Sequence, residues 1–219
     1  MSALLAGFTG LVGQEIAKQW TRDEPLHLLV RRDIKQLHAS HRVHVVDFAA
    51  LPPLPRATHA CCALGTTIAQ AGSQAAFRAV DFDAVLAFAR AARAAGVTHF
   101  GTVSALGADA TSGSFYSRTK GEAEAALQTL GFRCLVLARP SLLSGDRAAL
   151  GQPTRLGERL ALALASPLAP LLPRAWRPIA AATVARALVR ALQQAAPGVQ
   201  VLSSAAMQTQ AGGRGQAAP

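Results

Sequence analysis

Ser104, Tyr116 and Lys120 are the residues whose types and spacing best suit chemistry. They stand in "GTVSALGAD" and "FYSRTKGEAEAAL". Tyr116 and Lys120 lie four apart at the front of an alanine-rich helical pattern, so phenol and ammonium share one helix face. The matching chemistry is delivery of a proton to an oxygen that gains negative charge as hydride reaches its carbon. A tyrosine phenol, with an ordinary pKa of about 10, trades protons poorly near neutrality. A close ammonium favours the phenolate and eases that exchange. Ser104 would hydrogen-bond the same oxygen and hold it near the phenol. Each residue alone is ordinary: a turn-capping serine, a half-buried aromatic, a solvated lysine. Their order along the chain carries the reading.

The elements that must position them alternate almost from end to end. Strands are predicted in "SALLAG", "LHLLV", "RVHVVDF", "HACCAL", "THFGTVSA", "FRCLVLARP" and "VQVLSS". Helices are predicted over Val12 to Arg22, Ser73 to Ala95, Ser114 to Leu130, Thr154 to Ala165 and Ala181 to Ala195. Continuous apolar strands alternating with helices predict an α/β fold, a doubly wound and mostly parallel sheet. A single domain is expected over residues 1–206, with a small substrate-side segment near 144–180. Residues 207–219, "MQTQAGGRGQAAP", lack apolar periodicity and are expected to form a disordered tail.

Ahead of the trio stands "LLAGFTGLVGQEIAKQW", with Gly7, Gly10 and Gly13 between a strand and a helix. Gly7 would allow the tight turn, Gly10 the approach of a pyrophosphate, and Gly13 close helix–strand packing. Thr9, Leu11 and Val12 complete that turn, whose helix points its unpaired amides at the phosphates. The second strand ends in "LLVRRD", where Arg31 and Arg32 replace the carboxylate that would hold ribose hydroxyls. Arginine there accommodates a 2'-phosphate, so NADP(H) is favoured over NAD(H). Asp47 and Phe48 would flank the adenine. Leu64, Gly65 and Thr66 in "ALGTT" would line the cofactor at the carboxyl edge of the sheet.

With these pieces in order, the sequence resembles the short-chain dehydrogenase/reductase superfamily. It is most similar to the atypical NAD(P)-binding branch that includes the human Tat-interacting protein. The likeness rests on "GFTGLVG", "VVDF", "CCALGTT", "HFGTVSALGAD", "YSRTKGEAE" and "LARPSLLSGDR". It implies a single Rossmann domain binding NADP(H), with Ser104, Tyr116 and Lys120 catalytic and Lys120 also on the nicotinamide ribose. Pro140, Leu142 and Leu143 would border the nicotinamide. Many superfamily members carry an asparagine in the helix after the fourth strand; here Asp81 stands at that place in "RAVDFDAVLAF". The implied activity is hydride transfer to or from a carbonyl or alcohol substrate. The alternative is an NADP(H)-sensing binding protein with little turnover, since this branch includes members known for partners.

Composition bounds the rest. The 219 residues are 51% hydrophobic and 16% charged, which suits a packed domain and excludes a disordered one. Formal charge is +10, nearly all from scattered arginines; Lys18, Lys35 and Lys120 are the only lysines. With few aromatics to stack bases, this argues against nucleic acid as the main partner. A small-molecule substrate is expected, and exposed faces on the long helices leave room for a homodimer. Three cysteines make no zinc spacing, and adjacent Cys61 and Cys62 should face opposite ways. Reduced thiols and no charged leader point to a cytoplasmic protein. "LALALASPLAPLLP", Leu160 to Pro173, is too short and proline-broken to span a bilayer. It is expected to cover the substrate, though surface attachment to a membrane through it stays open. His38, His41 and His44 are expected at the surface and not in a metal site. Arg139 and Arg147 flank the turn after the sixth strand, facing a substrate anion or solvent.

Overall fold

Strand segments such as "ALLA" and "HACC" carry apolar residues on both faces, which only a sheet covered on both sides can hide. In the computed structural model, which describes residues 2–20, 25–34, 38–144 and 173–212, they do so. β1 (Ala3–Ala6), β2 (Leu26–Val30), β3 (His41–Val45), β4 (His59–Cys62), β5 (His99–Val103) and β6 (Cys134–Arg139) build the main sheet. A short pair, β7 (Leu143–Ser144) and β8 (Ile179–Ala180), precedes the last sheet strand, β9 (Gly198–Ser203). The order is β3-β2-β1-β4-β5-β6-β9, and every neighbouring pair is parallel. The strand order reverses between β1 and β4, the point where ligands bind in doubly wound sheets.

Two helical layers cover the sheet. α1 (Leu11–Gln19) and α6 (Ala181–Gln194) share one core with Leu5, Leu28, Cys61 and Val136. α4 (Val85–Ala94) and α5 (Phe115–Gln128) share the other with Leu4, Leu29, Cys62 and Leu135. Cys61 and Cys62 therefore face opposite layers, and all three cysteines are free and buried. Side chains as fully hidden as Leu4, Leu5, Phe88 and Phe100 contribute about 1.5–3 kcal/mol each. α2 (Ile68–Ala71) and α3 (Gln74–Arg78) are short, each opened by a hydroxyl cap, Thr67 and Ser73.

Three expectations are corrected. The helix predicted over Ser73 to Ala95 is broken into α3, a π-helical turn (Ala79–Ala84) and α4. The i→i+5 bonds take about one more residue per turn than an α-helix. This keeps Phe77, Asp81 and Val85, spaced by four, in one buried stripe. Next, the expected tail begins as helix α7 (Ser204–Gly212). One apolar residue suffices: Met207 is 1% exposed, while Gln208 Nε2 donates to the carbonyls of Arg174 and Arg177. Residues 213–219, like Thr154 to Ala165, Arg147 and nearly all of the Leu160–Pro173 run, lie outside the described residues.

His41 and His44 are the third correction, while His38 is exposed as expected. His41 is buried, edge-on to Phe8, and His27 Nδ1 lies 2.8 Å from His44 Nε2. No group of His, Cys, Asp or Glu among the described residues could hold a metal ion. Burial holds His27, His41 and His44 below the ordinary imidazole value, with His44 and Arg42 adding at His27 and His38 at His41. The unfolded chain thus takes up protons first as pH falls. Stability from these groups is complete above about pH 6.5 and is lost as pH drops below it. Thermal melts should therefore show a falling Tm from about pH 7 to about pH 5, and His44→Gln should flatten that slope.

Candidate active site

The turn after β1 is built by close approach. Gly7 has φ +86°, and a Cβ there would lie 2.3 Å from the Ala63 carbonyl carbon. A Cβ on Gly13 would lie 2.1 Å from Gly7 O, so the helix can meet the strand only through a bare backbone. Gly10 differs. It caps α1, and its nearest neighbour to an added Cβ is Gly7 O at 3.4 Å, so packing within the chain does not demand glycine. Leu11 and Val12 turn their side chains into the core and offer only backbone N–H groups outward. Thr9 is exposed at the rim.

Around the turn the other expected cofactor residues line the carboxyl edge. Arg31 and Arg32 follow β2 and are both exposed. Asp47 is exposed after β3 and accepts from Ala49 N; the Phe48 ring is committed to the core beside Val46. After β4, Leu64 packs on the core while Thr66 N donates to Asp81 Oδ2 at 2.9 Å. A Cβ on Gly65 would lie 3.4 Å from Asp81 Oδ1 and 3.7 Å from Lys120 Nζ. Backbone bonds tie the loops after β5 and β6 together: Ser104 N to Ala138 O and Leu106 N to Pro140 O. Leu142 O accepts from Ile179 N, which with Leu143 in β7 joins the short second sheet to this edge.

The trio assembles at the same edge. The loop after β5 is pressed onto α5, where a Cβ on Gly121 would lie 2.2 Å from the Asp109 carbonyl carbon. Asp109 N donates to Ser117 O, holding Ser104 and the helix front together. Ser104 is buried, and its Oγ has no hydrogen-bond partner among the described residues. Tyr116 is half-buried, its ring tilted on Phe77 with centroids 5.3 Å apart. Lys120 is buried, with Nζ 2.7 Å from Asp81 Oδ1. Burial disfavours its ammonium, yet the charges of Asp81 and Tyr116 outweigh that and hold it above the ordinary lysine range. Asp81, Thr102, Ser104, Lys120 and Glu124 line a small cavity.

Two features lay outside the candidate set. Glu124 continues the stripe of Tyr116 and Lys120 one turn further, and both its oxygens accept from Arg139 at the end of β6. The spacing Tyr-x-x-x-Lys-x-x-x-Glu was the available signal. Arg139, expected to meet a substrate anion or solvent, is instead bound to Glu124, pinning α5 to the sheet. Cys62, one strand from Thr102 and near Lys120, has its thiol pushed up to about 11 by burial, so it stays neutral.

The comparisons with known proteins agree with this geometry. No family model matches the chain. The chain is 34% identical to Protein FMP52, mitochondrial, of Debaryomyces hansenii, covering 67% of itself and 69% of that protein. It is 34% identical to Protein HTATIP2 of Rattus norvegicus, covering 73% and 68%. Among solved structures, MoeE5 in complex with UDP-glucose and NAD superposes with a TM-score of 0.69 at 16% identity, over 92% of this chain and 75% of that one. A UDP-N-acetylglucosamine 4-epimerase from Methanobrevibacter ruminantium gives 0.68 at 13%, over 92% and 76%. At such identities the structures show the fold alone, a Rossmann fold. The fungal relatives are named mitochondrial, which overturns the cytoplasmic placement. Free thiols argue against an oxidising compartment and do not choose among reducing ones. Among the described residues no helix is long and apolar enough to cross a membrane. The chain belongs to the atypical short-chain dehydrogenase/reductase family that includes FMP52 and HTATIP2.

Proposed function

We propose that the chain is an NADP(H)-dependent oxidoreductase in which Tyr116 exchanges a proton with the oxygen of a carbonyl or alcohol substrate. The observation that carries this is the meeting of the two halves of the site. Gly65, on the cofactor side, borders Lys120 on α5 so closely that a Cβ there would lie 3.7 Å from Nζ, while Ser104 lines the cavity with Lys120. The residues fit the dinucleotide. Gly10 leaves open the space that a pyrophosphate would take, and the α1 amides face it. Arg31 and Arg32 are free to reach a 2'-phosphate, and Asp47 to reach the adenine end. Leu64, Gly65, Thr66, Pro140, Leu142 and Leu143 would enclose the nicotinamide end. Similar structures hold NAD beside UDP-glucose or UDP-glucuronic acid, which supports a nicotinamide coenzyme and leaves the substrate open.

When bound, the coenzyme supplies or receives the hydride. Ser104 Oγ then donates to the substrate oxygen and fixes its position. Tyr116 Oη gives that oxygen its proton as negative charge develops on it. Lys120 supports the phenol and is itself held in place by Asp81. A screen of small carbonyl compounds, followed by loss of NADPH absorbance, tests the reading; a chain that binds NADPH and turns over none of a broad panel would favour the sensing role. The arginine assignment has its own test. The double change Arg31→Ala with Arg32→Ala should weaken NADPH at least about tenfold, since a phosphate contact of this kind is worth about 1.5–3 kcal/mol, and leave NADH nearly unchanged. Calorimetric titration of both coenzymes measures it, and equal losses would contradict a 2'-phosphate site.

A further inference from the structure

We propose that Asp81 is a positioning residue that orients and neutralises Lys120, so that Tyr116 is kept as a proton donor. This deepens the oxidoreductase reading and rests on it. Asp81 lies in the π-helical turn (Ala79–Ala84), and such turns recur at functional sites. There Asp81 is 1% exposed, with Oδ2 accepting from Thr66 N and Oδ1 facing Lys120 Nζ at 2.7 Å.

A lysine acting alone would present a full positive charge to the phenol. A carboxylate in contact with it leaves the weaker field of a dipole at the phenol. The surrounding groups do not restore that field. Cys62 from β4 is a neutral thiol. Thr102 and Ser104 from β5 are uncharged. Glu124 on α5 is bound by Arg139 from β6, which also interacts with Asp109, Arg78 is paired with Glu122, and Arg118 donates to the carbonyls of Ser112 and Gly113. Reduction needs the phenol: its proton goes to the substrate oxygen as hydride from NADPH reaches the carbon, and solvent reprotonates the phenolate. Oxidation needs the phenolate at the outset.

Tyr116 is the chain's only tyrosine, so one labelled ring-carbon signal reports its titration in coenzyme-free protein. Asp81→Asn keeps an oxygen for Thr66 N and removes the charge, leaving the phenolate as the nearest counter-charge for Lys120. The expected result is a titration midpoint lower by about one pH unit or more, with no such fall when Lys120→Met is added. An unmoved or raised midpoint overturns the proposal. Should Asp81→Asn not fold, the wild-type lysine signals decide, because Lys120 is one of three lysines. Its ammonium should persist to higher pH than those of Lys18 and Lys35; loss at lower pH overturns the ion pair. A lowered midpoint without turnover would sink the oxidoreductase reading and leave the role of Asp81 standing. Turnover with an unmoved midpoint would do the reverse.

Discussion

Tyr116→Phe lowers coenzyme-dependent carbonyl reduction by about a thousandfold and leaves NADPH affinity within about threefold of wild type. The size follows from the role. Without the phenol oxygen no other acidic hydrogen in the described site is placed to neutralise the developing alkoxide, since Ser104 is a weak acid and Lys120 is engaged by Asp81. The selectivity follows from packing. The phenyl ring keeps its tilted contact with Phe77, so helix, turn and cavity stay as they are. Steady-state kinetics with a single-turnover comparison measures the loss, and a matched Tm certifies the fold. Activity within tenfold of wild type would remove Tyr116 from the chemistry.

The second large effect separates the fold of the glycine turn from its use. Gly13→Ala should lower Tm by about 5–10 °C, because its Cβ would lie 2.1 Å from Gly7 O and 2.9 Å from Phe8 Cα, all backbone. Relief requires the helix to move off the strand, an overpacking cost of about 1–3 kcal/mol or more. Gly10→Ala should leave Tm almost unchanged, since its Cβ meets Gly7 O at an ordinary 3.4 Å. Both changes should nevertheless reduce NADPH affinity by about a hundredfold, the second by filling space the pyrophosphate needs. Differential scanning calorimetry and coenzyme titration on the pair check this. A Gly10→Ala protein that binds normally would mean the turn is only structural.

Much of this architecture is visible in local pattern. "ALLA", "LHLLV" and "HACC" are apolar on both faces, and that alone calls for a covered parallel sheet. The glycine triplet between strand and helix marks its own turn: Gly13 must clear Gly7 a few residues away, although Gly7 must also clear the distant Ala63. What escaped the sequence depends on distant partners or on geometry without a residue signature. No composition marks i→i+5 bonding, so the π-helical turn was hidden within an apparently regular helix. Glu124 and Arg139 look like surface charges until α5 lies across β6. His41 becomes a core residue only because Phe8 closes over it, and Met207 anchors a helix that apolar periodicity could not announce.

The most direct measurement is a crystal structure of the protein soaked with NADPH. The account predicts the diphosphate against the amides that follow Gly10, the 2'-phosphate near Arg31 or Arg32, and the nicotinamide ring between Leu64 and Pro140. Tyr116 Oη should point at its reactive face, with Lys120 still on Asp81. A coenzyme seated elsewhere, or a phenol turned away from the nicotinamide, would contradict it.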